Sequence, residues 1–290
     1  LSSAVITPLS LIAATCSVTR AAVIELTTRG VASKTSASTT MTATRTFFMR
    51  LSEGGAGAGI IANAGKGVND APRVARFAPG YDRAPTMNNP WLTIPLADYE
   101  GHMALPAVGQ AQLLAELFAA ALRRHVPRSA AVLGCAGGNG FERAPATVER
   151  LVGVDVNPDY VAAARERFGA RPGLELHVAD LAREPWPFAP VDLVFAALLF
   201  EYVEPAVVCS AARAKVSDGG ILVAVVQLQS TLPDVTPTSF RSLAVLESAM
   251  RLVPPDALER SAAAAGFRCV DTAMATASGG KHFAALTLQR

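Results

Sequence analysis

From Ala107 onward, the apolar positions follow first one period and then two in alternation. In AVGQAQLLAELFAAALRRHV (107–126), Val108, Leu114, Leu117, Phe118, Ala121 and Leu122 fall on one helical face, and Arg123 and Arg124 lie near the C-terminal end, where they suit the helix dipole. Beyond it, apolar runs too short for helices alternate with helical segments. AAVLGC (130–135), RLVGVD (150–155), LELHVAD (174–180), VDLVFAALLF (191–200) and GILVAVVQLQ (220–229) read as strands. PDYVAAARERF (158–168) reads as a helix, as does Ala206–Lys215, which ends towards Asp218-Gly219-Gly220. PPDALERSAAAAGF (254–267) is a third, with proline at its start and glycine near its end. FRCVDTAMA (267–275) and HFAALTLQR (282–290) close the chain as two further strands. Strands alternating with helices predict an α/β fold, a mostly parallel sheet with helices on both faces.

The first 86 residues lack this order. VASKTSASTTMTATRT (31–46) holds nine Ser/Thr and no acid, and GGAGAGIIANAGKG (54–67) is glycine and alanine with little else. Neither buries enough apolar area to offset ordering, so residues 1–86 read as a low-complexity, disordered extension. Two accounts of it stay open: an acid-poor organelle transit leader, or sequence upstream of a true start at Met87. The opening LSSAVITPLSLIAATCSV lacks the basic start of a secretory signal and is broken by Pro8. Residues 87–290, beginning MNNPWLTIPLADYEGHM, form the expected domain.

Composition narrows the functional classes. Of 290 residues, 51% are hydrophobic, enough for a sizeable core. The net charge of +2 divides unevenly: residues 1–86 carry nine Lys/Arg against four Asp/Glu, and residues 87–290 seventeen against twenty. That mildly acidic domain gives no support to nucleic-acid binding by a broad basic face. Cys16, Cys135, Cys209 and Cys269 are scattered without metal-ligand spacing, which predicts reduced thiols, no metal site and a cytoplasmic protein, or an organellar one if the leader is real. No apolar run approaches the length of a membrane span.

The chemistry lies at strand ends. AAVLGCAGGNG (130–140) packs four glycines into seven residues, yet GxGxxG counted from Gly134 meets Ala136 and Asn139, and no Gly-Lys-Ser/Thr follows. A dinucleotide fingerprint and a phosphate cradle are both disfavoured. Asp155 ends the next strand, 21 residues after Gly134, where a carboxylate accepts from ribose hydroxyls. Asp180 ends the strand after that, beside apolar Leu181, a pairing suited to an exocyclic amine and a ring face.

In this ordered set the chain resembles the class I S-adenosylmethionine-dependent methyltransferases. VLGCAGGNG is similar to their first motif, GVDVNPDYV to the acidic second-strand end, VADL to the adenine-contacting third, VDLVFAALLFEYVE to the fourth and SDGGILVAVV to the turn into the fifth. The resemblance implies a doubly wound, Rossmann-like sheet of seven strands, mostly parallel with an antiparallel last strand. It also implies S-adenosyl-L-methionine as cofactor. Gly134, Ala136 and Gly138 would approach its methionine part, Asp155 its ribose, Asp180 and Leu181 its adenine, and Ala197 or its neighbour Leu198 the reacting methyl, with Cys135 and Val156 completing the cofactor-binding set. Two positions depart from the family pattern: Val132 stands where an acid is usual, and Ala136 where a second glycine is.

No general base announces itself. Tyr99, Glu100 and His102 in LADYEGHM and Glu201 and Tyr202 in LLFEYVE are the candidates, and LADYEGHM reads either as a lid over the cofactor or as a turn capping the first long helix. His125, His177 and His282 read as structural or solvated. Residues 227–253, with two prolines and then Phe240, Leu243, Leu246 and Met250 at helical spacing, suggest a small, partly apolar methyl acceptor. The alternatives are a catalytically inactive S-adenosylmethionine-binding regulatory or scaffold protein and, less suited to the loop, a nicotinamide-dependent oxidoreductase.

Overall fold

The computed structural model describes residues 22–23, 89–183 and 185–290. The expectation for residues 1–86 therefore lies outside the described residues, apart from Ala22–Val23. In chain order the main elements are α1 (Leu96–Ala104), α2 (Gln110–His125), β1 (Ser129–Leu133), β2 (Arg150–Asp155), α3 (Pro158–Phe168), β3 (Leu174–Val178), β4 (Val191–Ala197), α4 (Pro205–Lys215), β5 (Val216–Gln227), α5 (Leu246–Ala249), α6 (Pro255–Ala264), β6 (Arg268–Thr276) and β7 (His282–Gln289). The strands order 3-2-1-4-5-7-6; β7 runs antiparallel to β5 and β6, and the remaining pairs among β1–β5 are parallel. The two-residue strand Ala22–Val23 pairs in parallel with the outer edge of β6.

Alternation along the central strands divides the interior into two cores. Ala131, Leu133, Val152, Val154, Val194, Ala196, Leu222 and Ala224 point to one face, where they pack with Val208 and Cys209 of α4 and Leu258 and Ala262 of α6. Ala130, Val132, Leu151, Leu193, Phe195, Val223 and Val225 point to the other, against Leu114, Phe118 and Leu122 of α2. Successive strand side chains point to opposite faces, so each strand supplies both cores. Phe118 is 1% exposed and its ring centre lies 5.1 Å from that of Phe195.

Three local features shape the site. Gly109, at φ +64°, ends a turn ahead of α2, so Val108 is buried from outside the helix rather than on its face. Val191 pairs with Val216 and Leu193 with Ile221, so Ser217–Gly220 bulges out of β5, and the Asp218-Gly219-Gly220 turn lies within that strand instead of before it. LADYEGHM is helical, as part of α1, with Pro95 just before it and Asp98 in its first turn.

Candidate active site

The carboxyl ends of β1, β2 and β3 lie side by side, which brings the glycine-rich loop, Asp155 and Asp180 to one edge of the sheet. Gly134 and Cys135 both donate their N–H to the Val154 carbonyl, at 2.8 and 3.1 Å, and this pins the loop to β2. The Ala136 N–H donates to Asp155 Oδ2 at 2.9 Å, and the Asn157 N–H to Asp155 Oδ1 at 2.9 Å. Asp155 is not the cap of α3. Asn157 is, its Oδ1 accepting from the Asp159 N–H at 2.9 Å. Burial raises the Asp155 carboxyl above its ordinary proton affinity, and the surrounding backbone N–H groups oppose that rise.

The loop follows a narrow path. Gly134 (φ +70°) and Gly138 (φ +90°) sit in the left-handed region, and so does Ala136 at φ +47°. A Cβ added to Gly138 would strike the Phe168 ring at 2.7 Å, and one on Gly137 would strike Glu100 and Arg167. One added to Gly134 would meet nothing within 4 Å, so the open side of the loop is there. An unfilled approach over Gly134, beside a buried carboxylate whose oxygens keep spare lone pairs, fits the methionine and ribose parts of S-adenosylmethionine. At the next strand end, the half-buried Asp180 accepts from the Ala182 N–H at 3.0 Å and lies 3.5 Å from Arg183. Leu181 packs into the core with Trp186, and its carbonyl accepts from the Trp186 indole. Cys135 is buried, and burial holds its thiol protonated.

Helix α1 and the segment before it cover these strand ends. The Asn157 amide donates to the Trp91 carbonyl at 2.8 Å, and the Tyr160 hydroxyl donates to Ile94 O at 3.0 Å. Arg167 holds both Glu100 oxygens and the Gly137 carbonyl, which joins α3, α1 and the glycine loop. On the far side Ser242 donates to Asp98 at 2.6 Å, and His102 Nδ1 lies 3.0 Å from Thr238 Oγ1. Trp91 stands edge-on to Tyr99 at 5.5 Å and to Tyr202 at 5.0 Å, with Phe240, Leu243 and Leu246 in the same cluster.

Besides Glu100, which Arg167 holds, the four other candidate bases differ in proton affinity. Tyr99 and Tyr202 are pushed well up, first by burial and then by neighbouring acids, so both stay protonated. His102, 6% exposed, is lowered by burial and then by the charge of Lys281, so it stays neutral. Glu201 is 1% exposed, and burial lifts it to about 7. Its Oε1 accepts from the Gln227 N–H at 2.8 Å, while its Oε2 is buried without a partner.

Sequence reading missed Asn157, Arg167, Gln227 and Lys281. The first carries a legible signal, since an Asn followed by Pro begins many helices. Lys281, in a hairpin turn between two glycines and an apolar strand, is 3% exposed, a burial that its residue type does not suggest. Among the described residues there is no group of His, Cys, Asp or Glu able to hold a metal ion, and no helix is long and apolar enough to cross a membrane.

Comparison with known proteins places the chain. No curated protein sequence matches it. Among solved structures, it is similar to magnesium protoporphyrin IX methyltransferase of Synechocystis PCC 6803 with bound SAH, at 15% identity over 63% of this chain and 84% of that one, TM-score 0.49. The N-methyltransferase NodS of Bradyrhizobium japonicum WM9 is similar at 13% identity over 62% and 87%, TM-score 0.49. Geranyl diphosphate C-methyltransferase of Streptomyces coelicolor A3(2) is similar at 14% identity over 60% and 77%, TM-score 0.48. Residues 132–224, from the glycine loop to β5, match the family described as methyltransferase domain. Over that stretch the chain carries a methyltransferase domain of the S-adenosylmethionine-dependent kind.

Proposed function

We propose that this chain transfers the methyl group of S-adenosylmethionine to a small, partly apolar acceptor. The observation that carries the reading is the tie between Asp155 and the Ala136 N–H, which sets the open side of Gly134 beside a buried carboxylate at adjacent strand ends. In this reading the backbone of Gly134, Cys135, Ala136 and Gly138 lies along the methionine part, Asp155 and Val156 hold the ribose, and Asp180 and Leu181 border the adenine. Ala197, at the end of β4, faces the transfer.

When bound, the cofactor supplies an electrophilic methyl group, so the protein's task is to position the acceptor and exclude water. Trp91, Tyr99, Tyr202 and Phe240 supply the apolar enclosure, and α1, latched by Glu100 and Arg167, is the lid. Glu201 is the proton acceptor of the five candidates, Glu100 being held by Arg167. Its affinity lies near neutrality, whereas the two tyrosines hold their protons and the Nδ1 of His102 is engaged with Thr238.

Calorimetry with S-adenosylhomocysteine and with NAD tests the cofactor: binding of the former alone is expected, and binding of NAD alone would return the oxidoreductase reading. Tritiated S-adenosylmethionine incubated with protein and cell extract tests the acceptor, with label expected in the small-molecule fraction. Cofactor binding without label in any fraction would favour the regulatory alternative.

A further inference from the structure

Lys281 lies on the half of the sheet that the cofactor residues leave free. The glycine loop, Asp155 and Asp180 end β1, β2 and the turn after β3, whereas Lys281 immediately precedes β7, beside the end of β5. Its ammonium donates to the Asp234 carbonyl at 2.5 Å and to Gln227 Oε1 at 3.4 Å. Both oxygens are neutral, and among the described residues no carboxylate lies within ion-pair distance of it. A buried charge without a counter-ion is costly, as when a desolvated ion pair loses one partner.

Stapling the 228–240 loop does not account for that cost. Gln227 Nε2 already donates to the same Asp234 carbonyl at 3.0 Å, and needs no charge to do so. The titratable groups facing Lys281 do not neutralise it either. His102, from α1, is neutral; Asp234 is an exposed loop acid that acts through space and only partly offsets the burial that lowers Lys281 to about 8; and Glu201 lies one hydrogen bond further off, reached only through Gln227. What remains is one unpaired positive charge, one spare N–H donor and a neighbouring cluster of Trp91, Tyr202, Val235 and Phe240.

We propose that Lys281 is the anion subsite of the methyl acceptor, which is a small apolar or aromatic molecule bearing one carboxylate. A single ammonium beside a neutral histidine balances a monoanion; a phosphate dianion needs a second cation, and among the described residues none shares the contacts of Lys281 with Gln227 and Asp234. The proposal rests on the methyltransferase reading only in calling the ligand an acceptor.

The test is calorimetry of benzoate and of its neutral analogue benzamide on the protein loaded with S-adenosylhomocysteine. Benzoate is expected to bind at least tenfold more tightly at pH 7. At pH 8.5, run in two buffers of different ionisation enthalpy, its binding is expected to take up most of one proton, because the anion restores the charge of Lys281. Lys281→Met should lose both the preference and the proton uptake while keeping wild-type affinity for S-adenosylhomocysteine; Lys281→Arg should keep the preference without the uptake. Equal binding of the two probes, binding of neither, or a preference that survives in Lys281→Met would overturn the proposal. Failure of S-adenosylhomocysteine to bind would instead strike the methyltransferase reading, and benzoate titrated into the protein alone would still report on Lys281.

Discussion

Replacing Glu201 by glutamine should make this protein more stable at pH 8 and leave it nearly unchanged at pH 5. The Glu201 carboxyl is 1% exposed, accepts one backbone hydrogen bond from Gln227 and has a second oxygen with no partner. Burial raises its folded-state value from 4.5 to about 7. The folded state therefore binds more protons than the unfolded state between those values, so stability falls as pH rises through the window. Each unit of displacement corresponds to about 1.4 kcal/mol, which makes the loss about 2–3 kcal/mol between pH 5 and pH 8. Glutamine keeps the acceptor for the Gln227 N–H and cannot ionise, so it escapes the loss. Urea unfolding of both proteins at pH 5, 6, 7 and 8 measures the difference directly. Lys281 also titrates near the top of that range, but it is present in both proteins and drops out of the comparison. A difference between the two that stays flat with pH would refute the argument, because it would mean that Glu201 ionises in the fold as freely as in the unfolded chain.

Other expectations follow from contacts at the same strand ends and beneath them. Asp155→Asn turns an amide N–H towards a backbone N–H in a buried place, at a cost of about 1–3 kcal/mol in urea stability, and calorimetry should show at least a tenfold loss of S-adenosylhomocysteine affinity. Glu100→Gln frees the lid from Arg167; the partly exposed pair contributes at most about 1 kcal/mol to stability, so the expected signature is a severalfold faster release of S-adenosylhomocysteine in stopped flow. Phe118→Ala empties a fully buried site against Phe195 and should cost about 3–5 kcal/mol by urea unfolding.

Much of the fold was legible because hydrophobic period and capping agree locally. β2 and α3 fall on their expected ranges, Arg150–Asp155 and Pro158–Phe168, since the apolar run ends at an acid and the helix opens on Asn-Pro. The start of β5 was not legible: Asp218-Gly219-Gly220 has the composition of a turn, and only pairing of Val191 with Val216 draws the residues before it into the sheet. The helicity of LADYEGHM was hidden for a related reason, as its short polar sequence is held by Ser242, Thr238 and Arg167, all distant in the chain. At the site, the acids at strand ends were readable from position alone. Glu201 was readable only as a candidate, and Lys281 not at all, because burial without a partner is a property of the assembled hairpin and loop.

The division of each central strand between two cores restricts how the chain can change in length. Inserting or deleting one residue within β1 or β4 would exchange the two faces from that point on, sending Phe195 towards α4 and Val194 towards α2. No compensating substitution at one position repairs such a swap, since every later side chain in the strand is displaced together. Ser217–Gly220 is different: the bulge already carries unpaired residues, and a Cβ added at Gly219 would meet nothing within 4 Å. Natural variants of this domain should gather their length differences at that bulge and in the loops, and keep the central strands at constant length.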